Sequence, residues 1–274
     1  MYGGGAPVSM RPPRREATKL QTILDINKVT MKFGELVANE DVSFTIGEKE
    51  IVSLIGPNGA GKTTLFNCIS GYYAPFSGQV TYYRALGDGK YESRDITGLP
   101  SYTICGLGVT RTFQIVKTLS EMTVEENIMT GAFLHNSRSK EAREQAREIL
   151  AMTGLEHKKD VLGCNLTIAD RKRVEIARAL ATRPKLLMLD ECMAGLNQTE
   201  IKDVMNLIVS LREQGLTLLI VEHIMEAIMP ISDKIVVLNA GRKIAEGTPV
   251  QIAGDENVIK AYLGEKYHAK NRKS

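Results

Sequence analysis

The stretch IVSLIGPNGAGKTTLFNCIS, residues 51–70, decides the fold. Ile51 to Ile55 is an apolar run of strand length, and Leu65, Phe66 and Ile69 fall on one stripe at helical spacing. Between them lies GPNGAGKT, residues 56–63, which matches the phosphate-binding loop pattern at every constrained position. A glycine-rich loop by itself is a common surface feature, and it is the strand before and the helix after that supply the chemistry. Backbone N–H groups of the loop and the positive end of the helix point at phosphate oxygens, and the glycines permit close approach. Gly56, Pro57, Asn58, Gly59, Ala60 and Gly61 are therefore expected to cradle the phosphates of a nucleotide. Lys62 would neutralise the β- and γ-phosphates, Thr63 would offer its hydroxyl to Mg2+, and Thr64 would reach an inner phosphate.

A second apolar run, LLMLDE at 186–191, ends in adjacent carboxylates. Ligands of open α/β sheets bind outside the carboxyl ends of the strands, so Asp190 belongs beside the loop, where it can hold Mg2+ through water. Glu191, one residue on, can polarise a water against the terminal phosphate as a general base. Without the phosphate loop, both acids would read equally well as exposed strand ends.

Outward from these two motifs, Ile23 to Ile55 reads as strands separated by turns at Gly34 and Gly47. Gln79 to Tyr83 reads as a further strand, and the polar run Gly87 to Arg94 as a surface insertion in a hairpin. Residues from about 98 to 182 read as predominantly helical. Within them Ala142, Ala146, Ile149 and Leu150 share one face of a helix over Ser139 to Met152, which Gly154 closes. After Pro184, strands and helices alternate: a helix over Ile201 to Arg212, the buried strand LTLLIVE (216–222), a helix over His223 to Ile231, and a hairpin turning at Ala240 and Gly241. Alternation around near-continuous apolar strands predicts an α/β fold with a largely parallel sheet, interrupted by a helical subdomain.

With 274 residues and 43% hydrophobic side chains the chain can bury a sizeable core. No apolar run approaches the roughly 20 residues needed to cross a bilayer. The first residues carry arginines without a following apolar segment, which is not the pattern of a secretory signal, so a cytoplasmic location is expected. Cys68, Cys105, Cys164 and Cys192 are scattered without a paired spacing, which argues for reduced structural thiols rather than zinc or disulfides. Residues 1–20 and 264–274 each carry four basic and one acidic side chain, and subtracting both tails from the total of +3 leaves about −3 for the body. That body offers no general basic surface for nucleic acid. The Gly/Pro-rich run Gly3 to Pro13 has the composition of a disordered segment.

From Lys28 to Leu263 the order of elements resembles the ATP-binding subunit of ABC transporters. The resemblance implies a P-loop ATPase with a largely parallel core sheet, an antiparallel β subdomain and an inserted helical subdomain of about 98–182. The ATPase domain then spans 21–263, between basic tails at 1–20 and 264–274. Phe33 in MKFG matches the aromatic that stacks on adenine. Gln114 in TRTFQ matches the glutamine that touches Mg2+ and the attacking water, and His223, directly after LTLLIVE, matches the switch histidine at the γ-phosphate. An imidazole at a strand's carboxyl end beside a phosphate pocket is physically well placed to donate a hydrogen bond. The phrases TRTFQIVKTLSEMTVEENI, VEIARALATRPKLLMLDE, AGLNQTE, EHIMEAI and IKAYLGE are most similar to the ATPases of branched-chain amino acid importers. That implies ATP and Mg2+ as cofactors and a working dimer of ATPase domains. The partners implied are a second related ATPase subunit, two transmembrane permease subunits and an external solute-binding protein, with the chain peripheral on the cytoplasmic face of the inner membrane.

Departures from the family pattern fall in three places. The signature, a serine followed by two glycines and a glutamine, closes in that family over the nucleotide held by the other ATPase of the pair; here Leu166 is followed by Thr167, Ile168, Ala169 and Asp170. Asn197 stands where an aspartate of the dimer-contact loop is usual, and Cys192 replaces a proline after the general base. Two other readings stay open at this point: a soluble ABC-type ATPase acting on a macromolecular assembly such as an iron-sulphur scaffold, and a P-loop kinase for a small molecule. The second leaves Gln114, His223 and the signature-like segment unexplained.

Overall fold

The computed structural model describes residues 21–87, 89–112 and 118–262. Both tails, and Gln114, lie outside the described residues. The chain begins with the antiparallel strands β1 (Thr22–Phe33) and β2 (Leu36–Gly47), then enters β3 (Ile51–Ile55) and helix α1 (Lys62–Ile69). β4 (Ser77–Gly87) and β5 (Lys90–Asp95) complete a four-stranded antiparallel sheet in the order β2-β1-β4-β5. The polar run expected to be an insertion is thus itself a strand arm, with Arg84 opposite Glu92 and Tyr83 opposite Ser93. Its missing apolar alternation follows from its position at the sheet edge, where most of β5 is exposed.

The span expected to be helical holds α2 (Ser101–Leu107), α3 (Val124–Ala132), α4 (Ser139–Thr153) and α5 (Ile168–Leu180). It also holds β6 (Val109–Arg111), which pairs in parallel with β7 (Leu186–Asp190). Three residues are too few to show a strand period, and this is why β6 was not legible. The order then runs α6 (Gln198–Glu213), β8 (Thr217–Val221), α7 (Met225–Ile231), β9 (Lys234–Asn239), β10 (Arg242–Gly247) and α8 (Pro249–Ala253). α7 starts two residues later than expected, leaving His223 in the loop that precedes it.

The second sheet has the order β10-β9-β3-β8-β7-β6. β9, β3, β8, β7 and β6 pair in parallel, and β10 closes one edge antiparallel through the turn at Ala240 (φ 46°) and Gly241 (φ 78°). Every residue of β3, β7 and β8 is buried, because both faces are covered. Ile51, Leu187, Leu189, Leu218 and Ile220 point into a core shared with α3 to α7. Their neighbours Val52, Leu54, Met188, Leu219 and Val221 point into a second core with α1 and the antiparallel sheet. In α4 the expected face is buried throughout, and Gly154 ends the helix at φ 68°.

Candidate functional site

Three strand ends meet at one level. Leu54 of β3 lies opposite Val221 of β8, and Val221 lies opposite Asp190 of β7. The segments that follow, 56–61, 222–224 and 191–197, therefore leave the sheet side by side. Gly56 and Gly61 have φ of 150° and 92°, and both are closely overlaid: a Cβ on Gly56 would overlap the Leu238 carbonyl, and one on Gly61 would overlap Ala38 and Asn39. The fully buried Asn39 donates from Nδ2 to the Gly61 carbonyl at 3.1 Å, and Gly241 N–H donates to Ala60 at 3.2 Å. The phosphate loop is thus braced from β2 and from the β9–β10 turn. α1 carries no acidic residue in its first turn, which leaves its positive end uncompensated. The Lys62 ammonium donates to the carbonyls of Gly56 and Pro57 at 2.7 and 2.8 Å, spanning the loop.

Asp190 is buried at 2% exposure, and its Oδ1 has no hydrogen-bond partner. Its Oδ2 lies 3.5 Å from Arg111. Burial pushes the Asp190 carboxyl up to about 6; Glu191 adds to the rise, while Arg111 and Lys62 oppose it. Arg111 is held by Asn67 of α1 and by Ser70, the C-cap of that helix, and stacks 4.8 Å from the Phe66 ring. The sequence alone assigns Arg111 no role. Its signal was its place at the end of a strand beside β7, and that strand was the one missed. Glu191 has φ of 48°, a left-handed conformation that costs a non-glycine residue roughly 1 kcal/mol. Its N–H donates to Val221 at 2.9 Å, and its carbonyl accepts Lys172 Nζ of α5 at 2.7 Å. The His223 side chain is 55% exposed at the end of β8.

An orphaned carboxylate oxygen at the carboxyl edge of the sheet, beside a hydroxyl-bearing phosphate loop, is a donor set of hard oxygens that fits a Mg2+ ion. Phe33 is 43% exposed and packs edge-on against Tyr73, with ring centroids 5.3 Å apart.

A family model described as "ABC transporter" matches residues 39–194, more than half of the chain. The chain belongs to the ABC transporter family. A second model, "Branched-chain amino acid ATP-binding cassette transporter", matches residues 242–268 of this ABC chain. It is 42% identical over 261 residues to the high-affinity branched-chain amino acid transport ATP-binding protein LivG of Salmonella typhimurium, covering 89% of this chain and 99% of LivG. It is 41% identical over 259 residues to the corresponding protein BraF of Pseudomonas aeruginosa, covering 89% and 98%. Among solved structures it is similar to the ADP conformation of MJ1267, an ATP-binding cassette of an ABC transporter, with TM-score 0.79, 31% identity and coverage of 89% and 99%. An ATPase with the α/β fold of this family is what the chain encodes.

The departures from the ABC pattern have local structural accounts. Asn197 is the N-cap of α6, accepting from Thr199 and Glu200 N–H at 3.0 Å in a full capping box, so an amide serves there as well as a carboxylate. Cys192 is buried, and burial raises its thiol. Cys68, also buried, is pushed up to about 12, so both are inert thiols. Thr167 caps α5, accepting from Asp170 N–H at 3.2 Å and donating to Asp170 Oδ2 at 2.6 Å. Asp170 also pairs with Lys158. Burial alone would raise the Asp170 carboxyl, but Lys158 and Thr167 together hold it below its ordinary value.

A second concavity of about 340 Å3 opens between α2, α3 and α5. Tyr102, Cys105, Thr130, Glu175 and Arg178 line it, and so does Arg111, which on its other side reaches Asp190. Tyr102 is 78% exposed at its rim.

Proposed function

We propose that this chain is the MgATP-hydrolysing subunit of a branched-chain amino acid importer, working as one of a pair of ATPase domains beneath two membrane permease subunits served by an external solute-binding protein. The observation that carries the chemistry is the convergence of the phosphate loop, the orphaned Asp190 oxygen and Glu191 at adjacent strand ends. The substrate class is supported by the 42% identity to LivG. No helix among the described residues is long and apolar enough to cross a membrane, which accords with a peripheral subunit at the cytoplasmic face of the inner membrane. The related ATPase would be its dimer partner.

In this reading the backbone from Gly56 to Gly61 and the amino end of α1 bind the phosphates. Lys62 exchanges its two loop carbonyls for phosphate oxygens, and Thr64 reaches an inner phosphate. Phe33 packs on the adenine. Thr63, Asp190 and Gln114 would hold Mg2+, which when bound neutralises charge between the β- and γ-phosphates. Glu191 accepts the proton of the attacking water, and His223 donates to the γ-phosphate. The groove lined by Tyr102, Arg178 and Arg111 receives a permease segment, with the helices of about 98–182 as the arm that carries the motion.

The test is uptake. The complex purified from native membranes through a tag on this chain, placed in proteoliposomes with MgATP inside and its solute-binding protein outside, is expected to accumulate labelled leucine, and Lys62→Ala is expected to abolish that accumulation. Hydrolysis without uptake of leucine, isoleucine or valine would overturn the substrate class.

A further inference from the structure

Among the described residues, Glu222 is the most deeply buried acid, and the proposed function gives it no task. Glu222, between Val221 and His223, is fully buried, whereas the residues on either side of the same level, Glu191 and His223, reach the surface of the site. A carboxylate is costly to bury unless its oxygens are satisfied, and these are satisfied in an unusual way. Oε1 accepts the N–H of Met193 at 2.6 Å, two residues beyond Glu191. Oε2 accepts the N–H of His223 at 3.3 Å and lies 3.9 Å from the His223 Nδ1. One side chain therefore ties the segment that follows β7 to the segment that follows β8.

The segment after β7 is held under strain. Glu191 sits at φ 48°, and a non-glycine residue keeps such a backbone only where its surroundings impose it. The bonds that impose it include Glu191 N–H to Val221, the Glu191 carbonyl from Lys172 of α5, and Met193 N–H to Glu222. The first two fix the peptide groups of Glu191 itself. The third fixes the turn that leads away from it and, through the Glu222 side chain, connects that turn to His223.

We infer that Glu222 is a positioning residue that sets the backbone of Glu191 and His223 together, so that base and phosphate donor are presented as one unit. The inference rests on the roles of Glu191 and His223 given above. Glutamine at 222 keeps the volume and one acceptor for Met193, but it turns an NH2 donor towards the His223 N–H. The misplacement is small, and displacement by about 1 Å costs up to roughly 100-fold in rate.

The experiment compares Glu222→Gln, Glu222→Asp and Glu191→Gln in the assembled transporter, reading ATP turnover, equilibrium affinity for an ATP analogue and thermal midpoint. Glu222→Gln is expected to lower turnover by about 10-fold or more while affinity stays within about 2-fold, because the phosphate loop is untouched. Its thermal midpoint is expected to change little, since the lost acceptor for the His223 N–H offsets the removal of a buried charge. Glu222→Asp keeps the charge but is one methylene short of spanning both N–H groups, and it should lose turnover as well. Wild-type turnover in both Glu222 variants would overturn the proposal. So would turnover, affinity and midpoint falling together, which is the mark of a purely structural acid. A wild-type rate in Glu191→Gln would instead remove the base assignment, and this proposal with it.

Discussion

At the carboxyl ends of β3, β7 and β8 the phosphate loop, Asp190 and Glu191 converge, and the backbone is braced around them. At the amino end of α5 the residues between Leu166 and Arg171 satisfy each other instead. The Thr167 hydroxyl is spent on Asp170, and the Asp170 carboxylate on Thr167 and Lys158. Ile168 is 63% exposed, where the family carries a glycine. The first region is built to meet a ligand, and the second is built as a stable helix start. If the second region closes over the partner's nucleotide, the two ATP sites of the working dimer are unequal: the one built on this chain's phosphate loop is complete, and the other is impaired.

The hardest test of that contrast is the general base. Glu191→Gln in this chain is expected to lower phosphate release by the assembled complex by roughly 100-fold or more while MgATP binding persists. The equivalent change in the partner ATPase is expected to cost much less. Equal losses from the two single variants would break the asymmetric reading.

A smaller effect separates ligand binding from folding at the same site. Asp190 keeps its proton in the folded chain up to about pH 6, whereas an unfolded Asp releases it near 4. The folded state thus binds the extra proton, and stability is lost as pH rises from about 4 through 6. Asp190→Asn removes that slope, and Arg111 retains Asn67 and Ser70 as acceptors. The thermal midpoint of the ligand-free chain at pH 7 should rise by roughly 2–4 °C, while the stabilisation that Mg2+ adds to bound ATP disappears. Scanning calorimetry with and without MgATP reads both. A lowered midpoint would mean that the Arg111 pair outweighs the burial of the charge.

The contrast also shows what the sequence could carry. The phosphate loop and the apolar strands β3, β7 and β8 were legible because both faces of those strands are buried, so their composition is unmistakable. The helical face of α4 was legible from its period. β6 and β5 were not, one because three residues hold no period and the other because an exposed edge imposes no alternation. Arg111 and Glu222 escaped for a related reason: each acts through partners supplied by other elements, Asn67 and Ser70 for the one and Met193 for the other. No spacing within the chain announces such partners. The altered signature was visible as letters, but its meaning was not, since only the structure reveals that its polar groups already bond to one another.

The least disruptive probe of the comparison is to return the family's glycines to α5. Ile168 and Ala169 occupy the first helical turn, where backbone N–H groups have no acceptor within the helix and are free to face a ligand. Side chains there keep a second molecule's phosphate at a distance that glycine would not. The cost is modest, because Thr167 still caps the helix and glycine in the first turn weakens it by at most about 1 kcal/mol per position. Ile168→Gly with Ala169→Gly is therefore expected to leave this chain's affinity for MgATP unchanged and to raise turnover of the assembled complex, by at most about 2-fold if both sites then run alike. Because the gain would arise at the partner's nucleotide, it should vanish when the partner's own general base is changed to glutamine. A gain that survives that change would place the effect at this chain's own site, and an unchanged turnover would mean that the substituted segment already reaches the partner's phosphate through its backbone.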